Sequence, residues 1–109
     1  MEIIGKKIKV KIDRPLGSRH PKHHDLVYPI NYGYVEDIFA LDGEEQDCYV
    51  LGVDEPISDF EGVVIAIIKR LDDVEDKWVV AYEGSNYTDE EILKQVYFQE
   101  QYFHIKLIR

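Results

Sequence analysis

Two acidic segments hold the densest set of chemically capable side chains: Asp42, Glu44, Glu45 and Asp47 in "LDGEEQD", and Asp72, Asp73, Glu75 and Asp76 in "DDVED". Carboxylates this close repel one another unless a cation lies among them. Hard divalent ions such as Mg²⁺ take oxygen ligands of this kind, together with water and substrate phosphates. A turn at Gly43 lets Asp42, Glu44 and Asp47 converge on one point. The plainer account is a solvated turn, because Asp-Gly is a favoured turn dipeptide and extra carboxylates keep a loop soluble. The second acidic segment favours the cation account, since two clusters at strand ends can face each other and hold more than one ion. Lys77, directly after Asp76, sets a fixed positive charge at the same rim. The twelve-residue spacing and closing glutamate of an EF-hand are missing, which excludes that kind of calcium loop.

A basic segment, "RPLGSRHPKHHD", brings Arg14, Arg19 and Lys22 together with His20, His23 and His24. Over the whole chain acid dominates: 13 Lys and Arg against 22 Asp and Glu give a formal net charge of -9. Such a surface repels nucleic acid and anionic membranes, so an anionic ligand must be met by a local basic patch or through metal ions. Guanidinium forks suit phosphate oxygens, which makes Arg14, Arg19 and Lys22 candidate phosphate contacts. No His-x-x-x-His spacing lies on a helix to support a zinc or manganese site, and the histidines read as loop residues. Cys48 is the only cysteine, so an internal disulfide and a cysteine zinc site are excluded. That usage fits a reducing compartment and makes the cytoplasm the expected location. Neither "MEIIGKKIKVKID" nor "VVIAII" is long and apolar enough for a signal peptide or a membrane span.

These residues need elements to position them, and the length of 109 residues suits one domain spanning residues 1–109. Ile8, Val10 and Ile12 alternate with lysines, the period of a half-buried strand. "LVYPINYGYV" is aromatic and β-branched, with Pro29 and Gly33 interrupting a long ladder. "CYVLGV", "GVVIAIIKRL" and "KWVVAY" read as further strands, the last two joined by a hairpin turn at "DDVED". "TDEEILKQVYFQEQYF" changes to a helical period, with a capping box from Thr88 to Glu91 and one face formed by Ile92, Val96 and Phe103. "HIKLIR" can close the chain as a short strand. The expected fold is mainly β: a five-stranded OB-like antiparallel barrel with a C-terminal helix beside it.

Taken together, "YPINYGYVEDIFALDGEEQDCYVLG" resembles the centre of the family I soluble inorganic pyrophosphatases. That family carries Tyr-Pro-x-Asn-Tyr-Gly-(Phe/Tyr) followed at this distance by Asp-Gly-Asp-Pro-x-Asp. The resemblance continues through "GVVIAIIKRLDDVEDKWVVA", while "YFQEQYF" is similar to the family's tyrosine-bearing helix. It implies an OB-like barrel and Mg²⁺-dependent hydrolysis of pyrophosphate to two phosphates, with Mn²⁺ as a substitute ion. Asp42 and Asp47 would be metal ligands, with one or two of Asp72, Asp73, Glu75 and Asp76 supplying the remaining carboxylates. Glu44 stands where the family has the Asp usually assigned as general base, and Tyr32 would lie near the nucleophile or substrate. Lys77 would contact phosphate, as would Tyr102 from the helix.

The sequence also departs from the family. Glu44 adds a methylene, and Phe103 stands where the family has lysine. The basic segment is contracted, so Arg14, Arg19 and Lys22 have no one-to-one counterparts. Two alternatives therefore stand beside pyrophosphate: a metal-dependent phosphohydrolase acting on another phosphate ester or nucleotide, and a barrel that binds metal and phosphate without turnover. Similar bacterial pyrophosphatases assemble as hexamers, and the sequence leaves a homo-oligomer open.

Overall fold

The computed structural model describes residues 3–109. Strands β1 (Lys7–Arg14), β2 (Asn31–Phe39), β3 (Glu45–Val50), β4 (Asp59–Arg70) and β5 (Asp76–Ala81) precede helix α1 (Asp89–Glu100) and strand β6 (Ile105–Ile108). The strands bond in the order β1-β2-β3-β5-β4, and β4 returns to β1, so five strands close into a barrel while β6 extends β4. This is the mainly β barrel with one helix that the residue patterns predict.

Four barrel pairings are antiparallel, and the fifth, β3 with β5, is parallel. Parallel neighbours cannot be joined by a hairpin, and here β4 forms the crossover between them. As a result β3 and β5 start at the same end of the barrel, with Cys48 paired to Trp78. Strand β4 serves three neighbours: its first half pairs with β1, its last residues pair with β6, and β5 runs along its other edge. A register shift between Val64 and Ala66 lets it bend between these partners.

Pro29 precedes β2, but Gly33 lies inside it and does not interrupt the ladder. The neighbouring strand explains the glycine: a Cβ there would lie 1.8 Å from the Lys11 carbonyl oxygen. Gly43, by contrast, turns the chain between β2 and β3 in the left-handed region, with φ 84°.

Strand alternation sorts the apolar residues into two cores. Val10, Val35, Cys48, Val50, Phe60, Val64 and Val80 form one cluster contributed by all five barrel strands, the barrel interior. Tyr49, Leu51, Ala66, Ile68, Val79 and Ala81 face the other way and pack with Ile92 and Val96 of α1. The helix starts as its capping box predicts: Thr88 accepts from the Glu91 N–H, and the Glu91 carboxylate accepts from the Thr88 N–H. It stops at Glu100 instead of running on through Phe103, because the chain must turn to set Ile105 beside Arg70. Tyr102 therefore lies in the turn after the helix.

Asn31 is fully buried at the start of β2. Its Oδ1 accepts from the backbone N–H of Leu16 and of Ile57, and its Nδ2 donates to the Glu55 carbonyl at 3.0 Å. One side chain thus ties the segments after β1 and before β4 to β2. Removing it leaves part-buried backbone groups of Leu16, Glu55 and Ile57 without these partners, where an unsatisfied group costs about 1–3 kcal/mol when fully buried. Asn31→Ala is expected to lower stability by about 3 kcal/mol, read from urea unfolding; an unchanged midpoint would deny it this role.

Candidate functional site

The second core turns polar at one end. Strand alternation places Asp47 on the face of Tyr49, Lys77 on that of Val79, and Arg70 on that of Ile68, while Glu100 continues the Ile92–Val96 face of α1. Strand β1 reaches the same end through a register shift between Ile12 and Arg14. The irregularity sets aside the simple alternation there, and both Asp13 and Arg14 line the resulting cavity. The basic segment covers its side as an ordered loop, with Gly17, Ser18 and His20 bonded to Tyr28 and Leu26. The cavity encloses about 620 Å³, and His20, His23, Asp25, Tyr28, Tyr32, Glu75, Tyr102 and Phe103 also line it.

A continuous chain of hydrogen bonds runs along its wall. Arg14 Nη1 donates to the Tyr28 hydroxyl at 3.0 Å, and that hydroxyl donates to Gln99 Oε1 at 3.1 Å. Gln99 Nε2 donates to the Tyr49 hydroxyl, which donates to Glu100. Arg70 grips both Glu100 oxygens, Nε to Oε1 at 3.0 Å and Nη2 to Oε2 at 2.8 Å. Its Nη1 donates to Glu75 at 3.1 Å. Lys77 Nζ closes the series, 3.2 Å from Glu75 Oε1 and 2.7 Å from Asp47 Oδ2. The Phe103 ring caps Arg70, with the guanidinium carbon 3.7 Å from the ring centroid.

Burial governs the protonation of this wall. It works against the Arg70 charge, but the hydrogen bonds and charge of Glu100 outweigh it and raise the guanidinium pKa. Burial, reinforced by Asp47, pushes the Tyr32 phenol well above its ordinary range, and burial with the Glu100 charge does the same for Tyr49. Both remain protonated donors. Asp13 is an exposed residue, and the partial desolvation of its carboxyl raises its pKa despite Arg14 beside it, while His20 is lowered by desolvation and then by Arg14. The neutral His20 ring accepts at Nδ1 from the N–H groups of Lys22 and His23.

Of the residues expected from sequence, Arg14, Tyr32, Asp47, Glu75, Lys77 and Tyr102 meet at this cavity. Asp42 and Glu44 sit exposed on the β2–β3 turn, where Asp42 accepts from the Glu44 N–H. Asp72 accepts from the His104 N–H, Asp73 from the Val74 N–H, and the Asp76 carbonyl from Gln46. None of these lines the cavity, and neither do Arg19, bonded to the His24 carbonyl, and Lys22. The sequence reading missed Asp13, Arg70, Gln99 and Glu100. Arg70 had a signal, since period two from Ala66 and Ile68 puts it on a buried face.

The donor set does not fit a resident multi-metal centre. The acidic segments send only Asp47 and Glu75 into the cavity, and both are engaged by Lys77. Among the described residues no group of three or more His, Cys, Asp or Glu side chains is placed to hold a metal.

This barrel, with its polar wall beside a C-terminal helix, has the fold of solved inorganic pyrophosphatases. The chain is similar to one from Neisseria gonorrhoeae, at 23% identity and TM-score 0.66, over 90% of this chain and 74% of that one. It is similar to another from Ehrlichia chaffeensis, at 15% identity and TM-score 0.71, over 96% and 86%. A third, from Thermus thermophilus, matches at 16% identity and TM-score 0.63, over 100% and 84%. At these identities the likeness is one of fold. No protein-family model matches the chain, and no curated protein does.

Breaking a buried ion pair from one side strands the other charge, at a cost of about 3–5 kcal/mol. Glu100→Ala is expected to lose that much stability in denaturant unfolding, whereas Arg70→Met with Glu100→Leu loses less. Equal losses would show that the pair is not the energetic anchor of this wall.

Proposed function

We propose that this chain hydrolyses inorganic pyrophosphate in the barrel-end cavity, taking it up as its Mg²⁺ complex. The observation that supports this most is the convergence of Arg14, Lys77 and Tyr32 with Asp13 and Asp47 on one cavity, in a fold shared with inorganic pyrophosphatases. Charge balance argues for the complex over the bare anion. Three fixed cations, Arg14, Arg70 and Lys77, face four carboxylates, Asp13, Asp25, Asp47 and Glu75. Bare pyrophosphate would meet a lining with excess negative charge, and ions carried on its phosphates, Mg²⁺ or Mn²⁺, reverse that field.

The chain's own groups then divide the work. Arg14 spends one N–H on Tyr28 and keeps others for phosphate oxygens. Lys77 has two carboxylate partners and a third N–H to offer. Tyr32, held neutral, offers its hydroxyl as a hydrogen-bond donor to a phosphate oxygen and keeps its proton. Asp13, with its raised pKa, accepts a proton from the water that attacks one phosphorus. The bridging P–O bond breaks, its electron pair leaves with the second phosphate, and Arg14 and Lys77 stabilise that charge. Asp42 and Glu44, outside the cavity, take no step in this scheme.

A larger phosphate ester or nucleotide is the second reading. A cavity of about 620 Å³ with aromatic Tyr28, Tyr102 and Phe103 in its lining gives room for a group beyond two phosphates.

Phosphate release from pyrophosphate with Mg²⁺ is the decisive assay, repeated with Mn²⁺. Asp13→Asn is expected to lower kcat by about 100-fold or more, the scale of a lost general base, and Arg14→Ala to raise KM. Wild-type activity should fall as pH drops through the raised Asp13 pKa, where the base becomes protonated. No release above blank with either ion would end the hydrolysis reading, and release from esters or nucleotides alone would establish the second.

A further inference from the structure

We infer that the Lys77 ammonium occupies the position between Asp47 and Glu75 that a resident divalent cation would take, so that the two acidic segments form no metal centre of their own. The parallel pairing of β3 with β5 sets Lys77 beside Asp47, and Nζ lies 2.7 Å from Asp47 Oδ2 and 3.2 Å from Glu75 Oε1. The Lys77 side chain is only 4% exposed, with the Tyr32 ring centroid 5.6 Å from Nζ. It is therefore held in place and not a surface chain that swings aside. Arg70 takes the remaining Glu75 oxygen at 3.1 Å, which leaves that carboxylate with a cation on each oxygen.

A divalent ion ligated by both carboxylates would sit against a buried ammonium, and Mg²⁺ also demands near-octahedral oxygen ligation. The remaining side chains of the two acidic segments do not line the cavity. Asp42, Asp72 and Asp73 are exposed and satisfy backbone N–H groups of their own turns or of His104. Fixed positive charge thus stands where the acidic composition of these segments suggests bound metal.

The test uses Mn²⁺ alone, titrated into the full chain and followed by electron paramagnetic resonance of the free ion. It requires no pyrophosphate, so its outcome is independent of the hydrolysis reading. The wild type is expected to show no saturable site that depends on Asp47 or Glu75. Lys77→Met vacates the position and should gain one Mn²⁺ site at least tenfold tighter than any wild-type binding, and adding Asp47→Asn should remove it. Lys77→Gln serves the same comparison if the methionine variant does not fold, with Trp78 fluorescence on melting reporting the fold. A saturable wild-type site abolished by Asp47→Asn or Glu75→Gln would overturn the inference, as would a folded Lys77 variant that gains no site.

Discussion

The buried pairing of Arg70 with Glu100 is the constraint on which the rest of the cavity depends. Arg70 is 5% exposed and Glu100 2% exposed, and two parallel hydrogen bonds join the end of β4 to the last turn of α1. Charges so deeply buried are tolerable only when geometry satisfies nearly every donor and acceptor. That requirement propagates in both directions. Glu100 also accepts from Tyr49, which fixes Gln99, Tyr28 and through it Arg14. Arg70 spends a further N–H on Glu75, which fixes Lys77 and Asp47. A linked network in a low-dielectric setting is stiffer than its separate bonds, so the wall presents one arrangement to a ligand.

The backbone supplies this geometry through two irregularities. A purely antiparallel barrel built from hairpins would place β4 between β3 and β5 and would not set their starting residues side by side. The parallel pair does set them so, and it converts two acidic segments distant in sequence into neighbours. The shift at Asp13 in β1 similarly adds two consecutive side chains to a face that regular alternation would serve with one. Both features sit where the second core meets solvent, so apolar packing holds the polar residues from behind.

Much of the fold was legible because burial imposes periodicity. Lysines alternating with Ile8, Val10 and Ile12, the aliphatic run of β4 and the Thr88–Glu91 capping box each mark an element whose physical cause is local. The parallel pairing was not legible, since alternation reveals which face a residue takes and not which strand lies beside it. The end of α1 is hidden for a similar reason: Phe103 fits a helical period, but its ring packs on Arg70 after the chain has turned. At the site, Arg14, Tyr32, Asp47, Lys77 and Tyr102 could be nominated by type and spacing. Arg70 and Glu100 could not be paired, because one is at a strand end and the other on a helix 30 residues away.

The tyrosine-proline-asparagine segment shows why a motif and a chemistry can separate. In "YPINYGY", Asn31 binds three backbone groups and Gly33 permits the approach of β1. Tyr28 and Tyr32 pack into the second core while their rings also line the cavity. Gly43 serves the turn that carries Asp42. These residues have architectural causes that operate whatever the cavity binds. The spacing of the motif therefore speaks first for the barrel, whereas the chemistry depends on which charged groups the barrel end brings together. Here those groups are carboxylates opposed by Lys77 and two arginines, and Asp47 belongs to both accounts: its strand position follows from the barrel, and its partner is a lysine.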